Sequence, residues 1–346
     1  MTSARGRRAA AAAAATAVSV VSAYLALRNV QWSTTWRAVR SMDAAWIVPP
    51  FLLLVIWTYV RVLRWRALFR PGSEPPVGAL TKATILGLFF NNVLPARAGE
   101  LARVLALRRY CGTSRVETAG TIIVERTYDV ACLLALLLVA LPWLPHIRWA
   151  RTIAIVSVAT VVLAVVAVGG ATLLERRLTR RAEHGSSVPI GASLHALVES
   201  LGHGFTAMRT TRQAIRAVIW TVASWLILGL GCWVLMRAFA LHLSVLSGLL
   251  VVVAIGFSFA IPAAPGGVGV FEAAGLAAMN AYGISTSRAL GYVLVLHMLN
   301  VLPYLVAGGA LLLTGGGAET AGQRRAFDLR SWSWPQRIRH TDDTGA

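Results

Sequence analysis

Apolar runs of helix length recur along this chain, and short basic segments separate them. The runs cover Ala9–Leu27, Ala45–Leu63, Ala79–Pro95, Ala119–Leu141, Ile153–Leu174, Ala217–Phe239, Val245–Pro262, Val270–Tyr282 and Ala289–Leu313. A helix needs about 20 mostly apolar residues to cross the hydrocarbon core of a bilayer. The composition agrees, since 14% of the residues are charged and a soluble domain averages about 25%. The chain is therefore predicted to be an all-α polytopic membrane protein.

Two of the runs are interrupted by residues that a lipid-exposed helix does not tolerate. The first break is GLFFNNVLPARAGELAR at 87–103, and the second is GFSFAIPAAPGGVGVFE at 256–272. Backbone groups at membrane depth that lack helical hydrogen bonds must be buried in protein or line a wet cavity. A charged side chain at that depth costs roughly 2.5–3.5 kcal/mol. We therefore predict that both breaks line a functional cavity.

The distribution of basic residues predicts how the two breaks are threaded. If both are re-entrant hairpins, about six full transmembrane helices remain, giving about eight membrane segments with both termini cytoplasmic. Only seven of the 33 Lys and Arg residues then lie outside: Arg28, Arg37, Arg40, Arg148, Arg151, Arg237 and Arg288. A full crossing by Ala79–Pro95 would place the basic stretch at 97–115 outside, against the positive-inside rule. The first hairpin is thus predicted to insert from the cytoplasmic face and the second from the outer face.

The two hairpins are predicted to form an inverted pseudo-repeat. Both breaks contain Gly-x-x-Phe, then an apolar residue with Pro-Ala, then Gly and Glu, although the gaps differ. Interrupted helices related in this way meet near the membrane midplane in transporters and form the substrate site. Residues 1–8 are predicted to be a basic cytoplasmic N-terminus, 9–314 the transmembrane domain with a cytoplasmic amphipathic loop at 175–216, and 315–346 a polar cytoplasmic tail.

The excess of basic residues is assigned to the membrane surface. A net charge of +19 would indicate nucleic acid binding in a soluble protein. Here the basic residues lie between apolar runs, so we expect anionic lipid headgroups as partners and no nucleic acid. Three cysteines without a C-x-x-C pair predict neither a disulfide framework nor a zinc site. The first run remains open to two interpretations, a retained span or a cleaved signal peptide.

Amides and charges on the first break and the following run are candidate substrate-binding groups. They are Asn91, Asn92, Arg97, Glu100, Glu125, Arg126 and Asp129. Arg126 can reach Asp129 across one helical turn, which suggests a charge network that binds a headgroup or relays protons. The structural alternatives are a local Arg97–Glu100 pair, amides that satisfy carbonyls freed by Pro95, and charges that snorkel to the interface.

Glycines of the second break are candidate ligand contacts. Gly266, Gly267 and Gly269 would let backbone N–H groups approach a phosphate before a helix that begins near Val270. Glu272 would lie in the first turn of that helix, where the helix dipole alone favours a carboxylate. A simple tight turn is the alternative. Three residues of the last run recur at helical spacing and are interpreted as buried hydrogen-bonding groups between helices: His297, Asn300 and Tyr304.

Three motifs in order resemble the membrane region of bacterial lysylphosphatidylglycerol synthetases: NNVLPARAGELAR at 91–103, IIVERTYD at 122–129 and PAAPGGVGVFEAA at 262–274. The resemblance covers about residues 10–315. It implies a flippase-like domain that moves a charged phospholipid between leaflets, while a separate cytosolic domain of the complete synthetases transfers the amino acid. Only about thirty residues follow Leu313, too few for such a domain, so synthetase activity is not expected.

The residues and the resemblance together predict an integral lipid translocase of the bacterial plasma membrane. An anionic phospholipid or lipid-linked headgroup would cross through the polar cavity between the two breaks, without a metal or cofactor. No zinc-protease, P-loop or serine-hydrolase motif occurs in the sequence, so we expect no catalytic site. The alternatives are a membrane component of lipid modification, with a lipid-modifying enzyme or a second copy as partner, and a non-transporting scaffold that recruits enzymes through 175–216.

Overall fold

A computed structural model describes residues 4–28, 30–95, 98–143, 211–259 and 263–315. These ranges contain ten α-helices and no β-strand, which confirms the all-α prediction. The helices are α1 Ala4–Leu27, α2 Trp32–Arg40, α3 Val48–Arg66, α4 Val77–Val93, α5 Ala98–Cys111, α6 Arg115–Ala140, α7 Thr211–Ala238, α8 Val245–Ser258, α9 Val270–Asn280 and α10 Thr286–Gly315. The predicted span at Ile153–Leu174, most of the 175–216 loop and the C-terminal tail lie outside the described residues.

Several of these helices are suited to a bilayer. Three are long and apolar enough to cross it, at Ala44–Arg66, Arg212–Ala238 and Thr286–Thr314. The apolar part of α1 and the short helix α2 form a pair bent by 86°. Helix α6 has 26 residues, but Glu125, Arg126 and Asp129 interrupt its apolar sequence. The chain is thus a multi-pass membrane protein, and α2 is a helix that the sequence analysis did not predict.

The first break folds back on itself as an antiparallel hairpin of α4 and α5. Near the tip, the Gly99 N–H donates to Oδ1 of Asn91 over 2.9 Å. At the open end, Nζ of Lys82 lies 5.6 Å from the centre of the Tyr110 ring. Contacts between early α4 and late α5, and between late α4 and early α5, require the two helices to run in opposite directions.

The hairpin depends on a close approach of two glycines, and this gives a first prediction. A Cβ atom at Gly99 would overlap the carbonyl oxygen of Gly87. We expect Gly99→Ala to lower stability by about 1–3 kcal/mol, the usual cost of overpacking, seen as a lower midpoint of thermal unfolding in detergent. Gly78→Ala, on α4 with nothing within 4 Å of the added methyl, is the control. Equal midpoints for the two variants would contradict the close packing.

The second break connects α8 to α9 through a turn at Pro265–Gly267. Glycines at 266, 267 and 269 have φ values of 69°, 74° and 86°, a region that other residues rarely adopt. Helix α1 packs against this loop, because the Ala264 N–H donates to Oγ of Ser19 over 2.7 Å. Helix α1 therefore contacts the second break.

The long helix α10 shows how the two hairpins are placed. At its beginning, the side chain of Asn280 at the end of α9 contacts Thr286. Near its middle, His297 contacts the second break through the Gly266 carbonyl oxygen. Towards its end, Gly308 packs directly on Phe89 of α4. The α8–α9 hairpin therefore covers the first part of α10, while α4 covers its later part.

Two apolar cores flank the region where the hairpins meet. The larger core joins α7, α8, α9 and α10 with the second half of α6, around Leu235, Val251 and Tyr292. The smaller core joins α3, α4 and α5, around Trp65 and Leu107. The site described next lies between these cores.

Candidate functional site

A cavity of about 190 Å³ lies where the two breaks meet. Seven of the predicted substrate-binding residues line it: Asn91, Asn92, Glu100, Arg126, Asp129, Gly266 and Gly267. Three others, Glu125, Gly269 and Glu272, do not line it, and Arg97 lies outside the described residues. The structure thus brings the two sequence-distant breaks to one cavity.

Glu125 is the centre of a buried charge cluster beneath this cavity. Its side chain has no solvent exposure. Four guanidinium groups from three helices surround its two oxygens: Arg103 and Arg126 at 2.7 Å, Arg64 at 2.8 Å and Arg61 at 3.2 Å. A buried carboxylate requires such partners, because an unpaired ion costs several kcal/mol in a nonpolar interior.

Asp129, one helical turn further along α6, extends the cluster. It accepts hydrogen bonds from Arg64 at 2.5 Å and from Nε1 of Trp225 at 3.0 Å. Arg126 Nη1 lies 3.3 Å from Asp129 Oδ2, so the predicted contact across one turn is confirmed. Asp129 is 5% exposed. Glu125 and Asp129 are therefore enclosed by their partners and do not extend into solvent.

Three arginines of this cluster were missed by the sequence analysis: Arg61, Arg64 and Arg103. Arg64 and Arg103 follow apolar runs and Arg61 lies at the end of one, where basic residues ordinarily anchor a helix at the cytoplasmic surface. One signal was present in the sequence, since Arg61 lies inside the apolar run at 45–63 and Arg64 follows one turn later. Two arginines on one face of a membrane helix indicate a buried acidic partner.

The polar residues of the first break hold the hairpin and face the second break. The Asn91 side chain accepts the backbone N–H at the beginning of α5 and so satisfies an amide, not a carbonyl freed by Pro95. Asn92 lies close to Gly266 of the second break: its backbone carbonyl oxygen would be 3.8 Å from a Cβ atom added to Gly266. Glu100 pairs with Arg126 of α6, with Oε1 3.4 Å from Nε. The pair thus links α5 to α6.

Two glycine N–H groups of the second break are already engaged within the protein. The Gly267 N–H donates to the Ala264 carbonyl oxygen over 2.9 Å. The Gly269 N–H donates to Oε2 of Glu272 over 2.6 Å. Helix α9 begins at Val270 as predicted. These two amides therefore stabilise the turn and do not form the free phosphate cradle that the sequence analysis predicted.

Glu272 and His297 hold one proton between them and fix the second break on α10. His297 Nε2 lies 2.9 Å from the Gly266 carbonyl oxygen, which only accepts hydrogen bonds, so Nε2 is the donor. On the other side, Nδ1 lies 2.5 Å from Oε1 of Glu272. One proton must lie between these two atoms, which makes the pair neutral in sum. The ring also stacks on Phe271 at 4.2 Å.

Of the three polar residues predicted to form hydrogen bonds between helices, His297 and Tyr304 contact other elements within the described part of the chain and Asn300 does not. His297 joins α10 to the second break, as described above. The Tyr304 hydroxyl lies 2.7 Å from the Thr58 hydroxyl of α3. Asn300 instead donates to Leu296 of its own helix and lines the cavity.

The sequence matches a known protein family. The sequence profile of the lysylphosphatidylglycerol synthase TM region matches residues 12–308, which is most of the chain. The chain belongs to this family. The resemblance inferred from the three motifs is thereby confirmed. A UPF0104 membrane protein of Methanocaldococcus jannaschii is 23% identical over 235 residues, which cover 65% of this chain and 93% of that protein. Both matches agree with a multi-pass membrane protein.

Proposed function

We propose that this family member is a lipid translocase that moves a phospholipid or lipid-linked headgroup between leaflets. The observation that carries this proposal is the cavity at the meeting point of the two breaks, lined by amides, charges and apolar residues together. A headgroup needs polar partners at membrane depth, whereas its acyl chains need apolar surface. A cavity of this mixed character, placed beside long apolar helices, supplies both.

In this proposal the two hairpins insert from opposite faces of the plasma membrane, with both termini cytoplasmic. The support comes from α10, a candidate span that the α8–α9 hairpin covers from its beginning and that α4 covers towards its end. Their tips meet at the middle of this helix, beside His297. Interrupted helices that meet at the midplane allow alternating access to one site. The arrangement is an inverted pseudo-repeat with about eight membrane segments.

Arg126 and Glu100 form the part of the charge cluster that a headgroup can reach. Their side chains are 33% and 34% exposed, unlike the fully buried Glu125. A guanidinium group binds phosphate oxygens in a planar, two-point geometry. In the proposed cycle, Arg126 releases Glu100 and binds the phosphate of the lipid. After the lipid has left, Glu100 pairs with Arg126 again and neutralises its charge.

The test is leaflet exchange of a fluorescent phospholipid in proteoliposomes that contain the purified chain. We expect the protein to accelerate exchange over protein-free vesicles and Glu100→Gln to reduce the added rate at least tenfold. Glu117→Gln, on α6 outside the charge cluster, is the control and should retain the rate. Absence of acceleration by folded wild-type protein would contradict a translocase function.

The rival proposal is a role in lipid modification, for which the family name gives a reason, since it refers to a synthase. In that role the cavity would present a lipid to a partner enzyme. Two results together would favour a role in lipid modification: the chain and a partner enzyme convert a lipid chemically, and the chain does not accelerate leaflet exchange.

A further inference from the structure

His297 lines the cavity and faces two hydrogen-bond acceptors. Its Nε2 atom lies 2.9 Å from the Gly266 carbonyl oxygen, and its Nδ1 atom lies 2.5 Å from Oε1 of Glu272. A neutral histidine has a single N–H group, which can satisfy only one of these acceptors. Both contacts are made together only when one further proton is shared between Nδ1 and Oε1. The link between the second break and α10 therefore depends on one proton.

Release of this proton would displace the loop of the second break at 266–269. Without it, Nδ1 and Oε1 would face each other as two acceptors and repel. A flip of the ring gives no relief, because its lone pair would then face the Gly266 carbonyl oxygen. The other oxygen of Glu272 accepts the Gly269 N–H over 2.6 Å. Since both partners are attached to this loop, three of whose four residues are glycines, their separation moves the loop.

The pair is enclosed too tightly for any ligand larger than a proton. His297 is 2% exposed and Glu272 is 7% exposed. The ring of Phe271 stacks on the imidazole, with the two ring centres 4.2 Å apart. His297 and Gly266 line the cavity, whereas Glu272 does not. A proton therefore passes between the pair and water in the cavity through His297.

The surroundings of the pair favour release of the proton. The charged or titratable groups that share the cavity with His297, in the part of the chain that the structure describes, are Arg61, Glu100, Arg103, Arg126, Asp129, Cys232 and Tyr304. The charged ones are already in ion pairs within the cluster around Glu125. On the other sides, α8 has no titratable residue, and α1 contributes Ser19 and Ala23 beside Gly269. Among the described residues the cluster has four guanidinium groups and three carboxylates, and this excess of positive charge stabilises a negatively charged pair.

We propose that the Glu272–His297 pair is the proton-binding site that couples lipid translocation to the proton gradient across the membrane. This inference rests on the translocase proposal and names its coupling ion. When the cavity is open to the acidic side, the pair takes up a proton from water and holds the second break on α10. When the cavity is open to the alkaline side, the proton returns to water, the pair carries one negative charge and the 266–269 loop is released. One proton therefore crosses the membrane in each cycle.

Leaflet exchange in proteoliposomes, with and without a pH gradient, tests the coupling. We expect a gradient of about two pH units to accelerate exchange by the wild type at least fivefold, because such a gradient changes proton occupancy up to about 100-fold. In Glu272→Gln the amide can donate to Nδ1 and accept from the Gly269 N–H, but it has no proton to release. The gradient should therefore leave the rate of this variant unchanged, and likewise that of His297→Gln.

Thermal unfolding in detergent tests the proton site separately from transport. The folded protein holds the shared proton, whereas an unfolded histidine loses its proton around its ordinary pKa of about 6.5. Stability falls with rising pH wherever the folded state binds more protons than the unfolded state. We therefore expect the unfolding midpoint of the wild type to fall relative to that of Glu272→Gln as the pH rises from about 6 to about 9.

The control makes the same change at a glutamate outside the pair. Glu117→Gln, in the first turn of α6, should retain the pH profile of the wild type. Parallel pH profiles of the wild type and Glu272→Gln would overturn the proton site. If Glu272→Gln is not monodisperse, His297→Gln takes its place in this comparison, because it also removes the titrating partner.

The outcomes separate this inference from the translocase proposal. Wild-type exchange that does not respond to the gradient would overturn the coupling and leave translocation in place. An equal response of the wild type and Glu272→Gln would assign the coupling to another group and overturn the inference. A pH profile that depends on Glu272, without any lipid exchange, would support the proton site and contradict translocation.

Discussion

Glu125→Ala is expected to prevent the protein from folding in the membrane. Among the described residues, the substitution would leave four buried or partly buried guanidinium groups with two carboxylates, Asp129 and Glu100, to balance them. Removing one partner of a buried ion pair costs about 3–5 kcal/mol. That is a large part of the about 5–15 kcal/mol by which a protein is ordinarily stable. We therefore expect little monodisperse protein after extraction, measured by size-exclusion chromatography in detergent.

A matched variant tests whether the loss of a different acidic residue on α6 has the same effect. Glu117 lies in the first turn of the same helix, outside the cluster. Glu117→Ala should change the midpoint of thermal unfolding by a small amount, because Glu117 is not one of the carboxylates that the cluster arginines contact. A Glu125→Ala protein as monodisperse and as heat-resistant as Glu117→Ala would contradict the central structural role of the cluster.

Asn300→Phe is expected to stop lipid exchange while the fold remains intact. Asn300 lines the cavity, and its amide donates a hydrogen bond to the carbonyl oxygen of Leu296 on its own helix. A phenyl ring at this position would occupy part of a cavity of about 190 Å³ and leave less room for a headgroup. We expect at least a tenfold reduction of the added exchange rate in proteoliposomes, with an unfolding midpoint close to that of the wild type.

The control for this variant introduces a phenyl ring on the same helix, at a position that faces away from the cavity. Met298 is 44% exposed and does not line the cavity. Met298→Phe should therefore retain the exchange rate. Unreduced exchange in Asn300→Phe would show that the headgroup does not pass through this cavity.

The breaks and the helices around them were predictable from the sequence, because membrane physics restricts what such residues can do. Paired amides, Pro95 and a glycine-rich segment inside apolar runs are tolerated only around a polar cavity. The beginning of α9 at Val270 and the contact between Arg126 and Asp129 followed from local spacing. In each case the determining interaction spans fewer than about five residues of one helix.

The remaining features depend on contacts between distant parts of the chain. Arg61, Arg64 and Arg103 resemble ordinary surface anchors until Glu125 is brought beside them from another helix. The glycine N–H groups of the second break looked free because their acceptors depend on how the turn closes. The proton shared by Glu272 and His297 requires the packing of α9 on α10. Periodicity in one sequence carries no information on such pairings.

The proposed translocation pathway requires the two hairpins to insert from opposite faces, and labelling of cysteines from each side measures this directly. Native Cys111 at the end of α5 is exposed, whereas Cys132 and Cys232 are buried. Asn280, at the end of α9, is exposed and provides the second position in an Asn280→Cys variant that also carries Cys111→Ser. A membrane-impermeant maleimide should label Cys111 only in inside-out vesicles and the Asn280→Cys variant only in right-side-out vesicles. Labelling of both positions from the same side would contradict the arrangement and the translocation pathway built on it.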